Sequence, residues 1–268
     1  MEIGRNSWGF TALAVVLFAF LLAPVLLVFP ISFSNDPYLV FPPQSWGVKY
    51  YLALPERPLL MSAFKTSLVV AATVTVLSLL IAVPAAYALM RLEFRGRDWL
   101  ASLFTAPLLL PTIVLGLAML LVFVRVGLLA TFPGLVLAHL TITLPYALRV
   151  LSTALTTLPP SIEDAAASLG APPFTVFRRI TLPMMVPGIV AASALSFLVS
   201  FDEVVISLFV VGPKLSTFPV EMYRYVETRT DPLIAAASVV LILGTIGCVL
   251  ALERSMGLMG ALGRKPGA

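Results

Sequence analysis

Two adjacent acid pairs, Glu163-Asp164 and Asp202-Glu203, are the places where this 268-residue chain concentrates carboxylates. Such a pair can share acid and base work, hold a metal ion or meet a cationic ligand. The remaining side chains narrow that choice. His139 is the one histidine and Cys248 the one cysteine, which excludes a disulfide framework and a cysteine-rich metal site and leaves a histidine-rich one without ligands. A phosphate-cradling loop needs a lysine directly after a glycine, and none of Lys49, Lys65, Lys214 and Lys265 has one. The chain therefore carries no nucleotide-hydrolysing loop of its own. Hydrophobic residues make up 60% of it and charged residues 11%, against about 45–50% and about 25% in soluble domains. That balance excludes a soluble enzyme and a disordered chain. A net charge of +4 is too small for a phosphate-binding surface, so nucleic acid is not a partner.

The elements that position the acids follow from the apolar runs. Six stretches free of Asp, Glu, Lys and Arg (6–35, 66–90, 99–124, 126–148, 180–201 and 232–252) reach the roughly 20 residues a membrane-spanning helix needs. They lack period-2 alternation, so the expected fold class is all-α, a polytopic membrane protein with six transmembrane helices. Expected spans are 8–31, 62–90, 100–124, 133–155, 184–211 and 232–252 in a single domain of residues 1–268. The first is too long for a signal-peptide core. Pro24, Pro84, Pro107, Pro111, Pro145 and Pro187 inside the spans are expected to kink rather than break them, since neighbours can satisfy freed backbone groups. Six spans place both termini on one side. Ten Lys and Arg fall on that side, Arg5, Arg91, Arg95, Arg97, Arg149, Arg178, Arg179, Arg254, Arg264 and Lys265, and seven on the other. Both termini are therefore expected in the cytoplasm. Loops 32–61, 125–132 and 212–231 are then external, the first a proline-rich cap with interfacial aromatics, and 253–268 is a cytoplasmic tail.

The first acid pair lies in the connection 156–182, longer than two adjacent helices require. Pro159 and Pro160 stop the preceding helix. Ser161, with Asp164 three residues on, has capping-box spacing. Ile162, Ala165, Ala166 and Leu169 share one helical face. Gly170 suits a left-handed stop, and Pro172 and Pro173 can open a second helical turn. Bulky side chains would anchor such a helix in headgroups; the small alanines suit close approach to another protein.

These residues resemble a known family. Asp164-Ala165-Ala166, Gly170, and Ile180-x-Leu182-Pro183 match the spacing of the EAA signature of ABC importer permeases, between the penultimate pair of helices. Asp164 stands where the family carries Glu, with Glu163 just before it, and either acid can make the family's contact. Ser200-Phe201-Asp202-Glu203, Gly212-Pro213 and Phe218-Pro219-Val220 resemble the polyamine (spermidine and putrescine) branch. The resemblance implies a type I importer permease fold in a bacterial inner membrane. The short helix would be the coupling helix, seated in a groove on a cytoplasmic ATPase subunit. The coupling residues it implies are Glu163, Asp164, Ala165, Ala166, Leu169, Gly170, Ile180, Leu182 and Pro183. It further implies a second permease subunit, an external solute-binding protein, no cofactor on this chain, and ATP with Mg on the partner ATPase.

The second acid pair is the candidate substrate contact. Gly188, Ala192, Ser196 and Ser200 recur every four residues, and in a continuous helix Glu203 continues that stripe while Asp202 points about 100° away. If the stripe is a helix seam, Glu203 is structural and Asp202 faces the path; if the stripe lines the path, the roles reverse. A structural ion pair or hydrogen-bond cluster is the competing role for both. His139 is expected as a neutral histidine hydrogen-bonded across helices, with a proton relay as the competing role. The segment from Glu221 to Asp231 is expected as a mixed-charge external connection, and Cys248 as a small buried residue. A stand-alone secondary transporter would need two symmetric halves with broken helices, and an intramembrane enzyme a nucleophile and base or metal ligands at depth. Neither pattern is present. Another small organic solute, an amino acid derivative or a phosphonate, is the alternative cargo.

Overall fold

The computed structural model describes residues 8–255, with the side chains of 248, 249, 251–253 and 255 left aside. Arg5, Arg264, Lys265 and the expected buried side chain of Cys248 lie outside the described residues. The described chain is helical; two isolated bridges, Ser34 with Trp46 and Gly212 with Leu215, are its extended pairings. It divides into two compact units: residues up to Met61 together with Met222–Thr245, and Ser62–Glu221 together with the residues from Ile246 onward.

The first unit begins with α1 (Trp8–Ser32), an apolar rod that carries Pro24 and Pro30 and buries only Ser32. The loop after it is knotted around Asp36. Its carboxylate accepts from Ser34 Oγ at 2.8 Å, from the backbone N–H of Gln44 at 2.9 Å and of Ser45 at 3.1 Å, and from Ser45 Oγ at 3.1 Å. These bonds, led by the Ser34 hydroxyl, hold the Asp36 carboxyl below its ordinary pKa. Tyr50 in α2 (Lys49–Ala53) donates to Asp36 O at 2.7 Å, and Tyr51 Oη donates to Ser32 Oγ at 2.6 Å. At Gly47 a side chain would overlap the Asn35 amide, so a substitution there has to displace Asn35. Leu39 N–H donates to Thr230 O at 2.8 Å. The proline-rich stretch is thus an ordered cap whose register is set by one carboxylate.

In the second unit α6 (Phe132–Thr156) is the central helix. Thr131 caps it, accepting from Gly134 N–H at 3.1 Å. Its length is buried on several sides, from Leu135 through His139, Thr143 and Leu151 to Leu155. Against it lies α3 (Pro58–Arg91), with Ala71, Ala82 and Ala86 fully buried. Small residues let helix backbones approach where lipid supplies no hydrophobic drive. Ser78 and Thr143 share a buried hydrogen bond of 2.9 Å between these helices.

Two expected continuous spans are broken. The third is α4 (Arg97–Thr105) with a 3-10 turn (Ala106–Leu109), then α5 (Thr112–Val126), bent by 103°. Pro111 forces Leu110 into an extended conformation (φ −93°, ψ 139°), which ends the first helix. Pro107 and Pro111 therefore break the span instead of kinking it. The fifth bends by 67° around Met185, next to Pro187, and is interrupted again after Phe201. Pro84 and Pro145 sit inside unbroken helices, as does Pro24. Among the described residues α1, α3 and α6 are long and apolar enough to cross a membrane, and each bent pair qualifies as one further span. The last helix, α13 (Leu233–Ser255), contributes the shorter apolar stretch Leu233–Gly247.

Candidate functional site

The first candidate site is the loop after α6. Helix α7 (Pro160–Ser168) starts two residues earlier than the capping-box spacing suggested. Pro160 takes the first helical position and no side chain caps it, so Ser161 is not the cap; proline's fixed φ suits a position whose N–H would be unpaired anyway. The helix ends as expected at Gly170, φ +84°. Gly170 N–H donates to Ala167 O at 2.9 Å and Ala171 N–H to Ala166 O at 3.1 Å, the double bond pattern of a left-handed helix stop. Pro173 opens α8 (Pro173–Val176), and a π turn (Phe177–Thr181) leads into α9 (Leu182–Met184) and α10 (Val186–Phe201).

The two acids of α7 point apart. Glu163 turns inward: its Oε2 accepts from Arg91 Nε at 2.9 Å and its Oε1 from Thr181 Oγ1 at 2.7 Å. Asp164 is exposed, with Ala165 beside it. Ile162 is 41% exposed, Leu169 90% and Phe174 71%, while Ala166 is half-buried. The face therefore stands clear of the chain's own helices. Ile180 and Leu182 are half-buried and Pro183 is exposed. Val176 is buried, and Phe177 packs on Tyr87 with ring centroids 4.8 Å apart. Phe174 therefore faces solvent while Phe177 packs inward.

The second site is the interruption after α10. Asp202 is the C-terminal cap of α10 (φ −92°, ψ 2°), and α11 (Val205–Val210) follows. The helical wheel that placed Glu203 on the stripe ends at Phe201, so its angular argument does not extend to the acids. The stripe itself is a seam against α6. Ala192, Ser196 and Ser200 are buried, and a Cβ at Gly188 would overlap Ala154. Glu203, half-buried, uses Oε1 to accept from Ile206 N–H at 2.8 Å and caps α11. Asp202 is exposed. His139 bridges the interruption: Nδ1 meets Ser200 Oγ and Nε2 meets Ser207 Oγ, each at 2.9 Å. One imidazole thereby joins the end of α10 to α11 from α6.

The segment expected as a connection between Glu221 and Asp231 is mostly helix, α12 (Phe218–Thr228), with Phe218, Val220 and Met222 buried. Tyr225 Oη donates to Asp231 Oδ2 at 2.8 Å, and Asp231 Oδ1 accepts from Leu233 N–H at 3.1 Å, capping α13. Sequence reasoning overlooked Arg91 and Thr181 as members of the first site. Arg91 counted only as a cytoplasmic charge, and no local pattern links it to an acid 72 positions away.

Residues 76–258 match the model of the binding-protein-dependent transport system inner membrane component family. The chain belongs to this family. This bacterial inner-membrane, multi-pass permease is 36% identical over 256 residues to the Putrescine transport system permease protein PotI of Escherichia coli K12, covering 93% of this chain and 90% of that one. It is 29% identical to the Spermidine/putrescine transport system permease protein PotC of the same organism, covering 93% of each. The Trehalose transport system permease protein SugB of Mycobacterium tuberculosis is also 29% identical, over 93% of this chain and 94% of that one. A crystal structure of a bacterial ABC transporter importing the acidic polysaccharide alginate superposes with a TM-score of 0.69 at 17% identity, over 94% of this chain and 98% of that chain. The fold of this permease is accordingly that of the ABC importer permeases.

Proposed function

We propose that the chain is the membrane-spanning subunit of an ATP-driven ABC importer and forms half of the path for a polyamine such as putrescine or spermidine. The observation that carries this reading is the outward face of α7: a short helix with Leu169 and Ile162 bared, closed at Gly170 and tied down from behind by Glu163. A passive bundle needs such a face to receive work done elsewhere. ATP and Mg belong to a partner ATPase, and this chain carries no cofactor. A second permease, identical or related, supplies the other half of the path, and an external binding protein delivers the solute.

The six crossings are α1, α3, the α4–α5 pair, α6, the segment from Met184 through α11, and α13, with both termini cytoplasmic. The bond between Arg91, the last residue of α3, and Glu163 supports that assignment, since it puts the end of α3 and the 156–182 connection at one membrane face. Putrescine is favoured by the 36% likeness to a permease named for it. A different small organic solute is the second reading, supported by a trehalose permease as similar as the spermidine/putrescine one.

The test is uptake of labelled putrescine into proteoliposomes holding the whole complex. Uptake should require ATP and the binding protein, and should survive collapse of ion gradients. Uptake that follows an ion gradient without ATP would sink the importer reading. A thermal-shift screen of the binding protein that finds a sugar and no polyamine would move the cargo alone.

A further inference from the structure

We propose that Arg91 is the junction through which displacement of α7 reaches the helix bundle. The inference rests on α7 being the ATPase-facing element and adds the residue that passes its motion inward. The guanidinium at the end of α3 makes three hydrogen bonds to two other parts of the fold. Its Nε donates to Glu163 Oε2 at 2.9 Å, and its Nη2 donates to Leu155 O at 3.1 Å and Leu158 O at 2.9 Å. Glu163 completes the cluster by accepting from Thr181 Oγ1 at 2.7 Å. One ion pair thus ties together the ends of α3 and α6, the back of α7 and the π turn that enters α9 and α10.

The geometry suits a rigid link. Guanidinium is planar, and its donors have fixed directions. Leu155 lies in the last turn of α6 and Leu158 just beyond it, where helix carbonyls lack intrahelical partners and a cation is favoured. The side chains are only 12% and 15% exposed, so solvent screens the pair weakly. Thr181 is buried. On the same short helix, Asp164 and Leu169 face out. Helix α7 therefore has a docking side and an anchored side, and a push on the first moves α3, α6 and α10 through the second.

The test compares Arg91→Met, Arg91→Lys and Glu163→Gln in the complete reconstituted complex, with putrescine as the probe. Three quantities are read: co-purification of the partner subunits, ATP hydrolysis, and putrescine imported per ATP consumed. For Arg91→Met we expect an assembled complex that still hydrolyses ATP but imports about tenfold less per ATP, a coupling loss of ordinary allosteric size. Glu163→Gln should follow it. Arg91→Lys, which keeps the charge and loses the fork, should fall between Met and the unsubstituted protein. An assembled Arg91→Met complex with the unsubstituted import per ATP overturns the proposal. Failure of all three variants to co-purify with the partners also overturns it, because the cluster is then a folding element. If the unsubstituted complex imports putrescine without ATP, the reading of α7 falls and takes this inference with it; normal coupling there leaves the variants to judge Arg91 alone.

Discussion

Glu163 and Asp164 are neighbours in sequence and opposites in environment. One is held by a guanidinium and a hydroxyl, the other stands in solvent. Substituting Ala166, half-buried on the proposed docking face of α7, by Asp should block docking through bulk and an unpaired buried charge. The expected result is loss of the assembled complex or ATP hydrolysis without uptake; unaltered uptake would count against α7 as the coupling element. For the second acid pair, the seam places Glu203 in a capping role and leaves Asp202 open. Asp202→Asn should raise the putrescine concentration needed for half-maximal uptake with little effect on thermal stability. Glu203→Ala should act mainly on stability, within about 0.5–2 kcal/mol for a lost cap. Equal, unaltered uptake in both would remove the pair from the path. His139→Leu leaves two buried serine hydroxyls without their shared partner, at about 1–3 kcal/mol each if neither finds another partner. A drop in midpoint temperature in detergent measures that.

The broken spans show how proline acts differently by position. Pro145 sits in the middle of α6, which runs unbroken through it and is buried on several sides. Pro111 follows Leu110 at a helix end, where nothing continues the helix across it, and the chain turns by 103°. The same reasoning applies to glycine. Gly188 is required by the approach of α6, since a side chain would overlap Ala154. Gly188→Val should therefore overpack the α6–α10 seam at a cost of about 1–3 kcal/mol, seen as earlier thermal unfolding. Gly170 has open space around it, so Gly170→Ala tests its left-handed backbone alone, at about 1–2 kcal/mol. Helicity of α7 by hydrogen exchange is the suitable readout, because global stability would dilute a change confined to one short helix.

For the molecule as a whole, the proline-rich loop after α1 offers a pH test. Bonding lowers the Asp36 pKa in the folded chain below its ordinary 3.8. A depressed carboxylate contributes stability above its unfolded value, and that contribution fades as pH falls through the folded one. The loop between Ser34 and Gly47 should resist protease from neutral pH down to the usual carboxylate range and yield below it. Asp36→Asn should open the loop at all pH values. Resistance unchanged in that variant would show that the tyrosine bonds alone hold the cap.

Composition and unbroken apolar runs made the all-α membrane class legible, because a helix in lipid must satisfy its backbone within itself and so betrays its length in one dimension. The Gly170 stop and the one-sided face of α7 were legible for the same reason: both are local, set by residues within a few positions of each other. The start of α7 was misplaced by two residues because Ser161 offers a cap and Pro160 a first helical position, and local spacing does not select between them. Which acid turns inward, where a proline breaks a span, and that Arg91 reaches two carbonyls and a carboxylate all depend on partners far along the chain. Long-range contacts follow from how helices pack against one another, and a linear pattern of hydrophobicity carries the length of each helix without the angle at which its neighbours meet it.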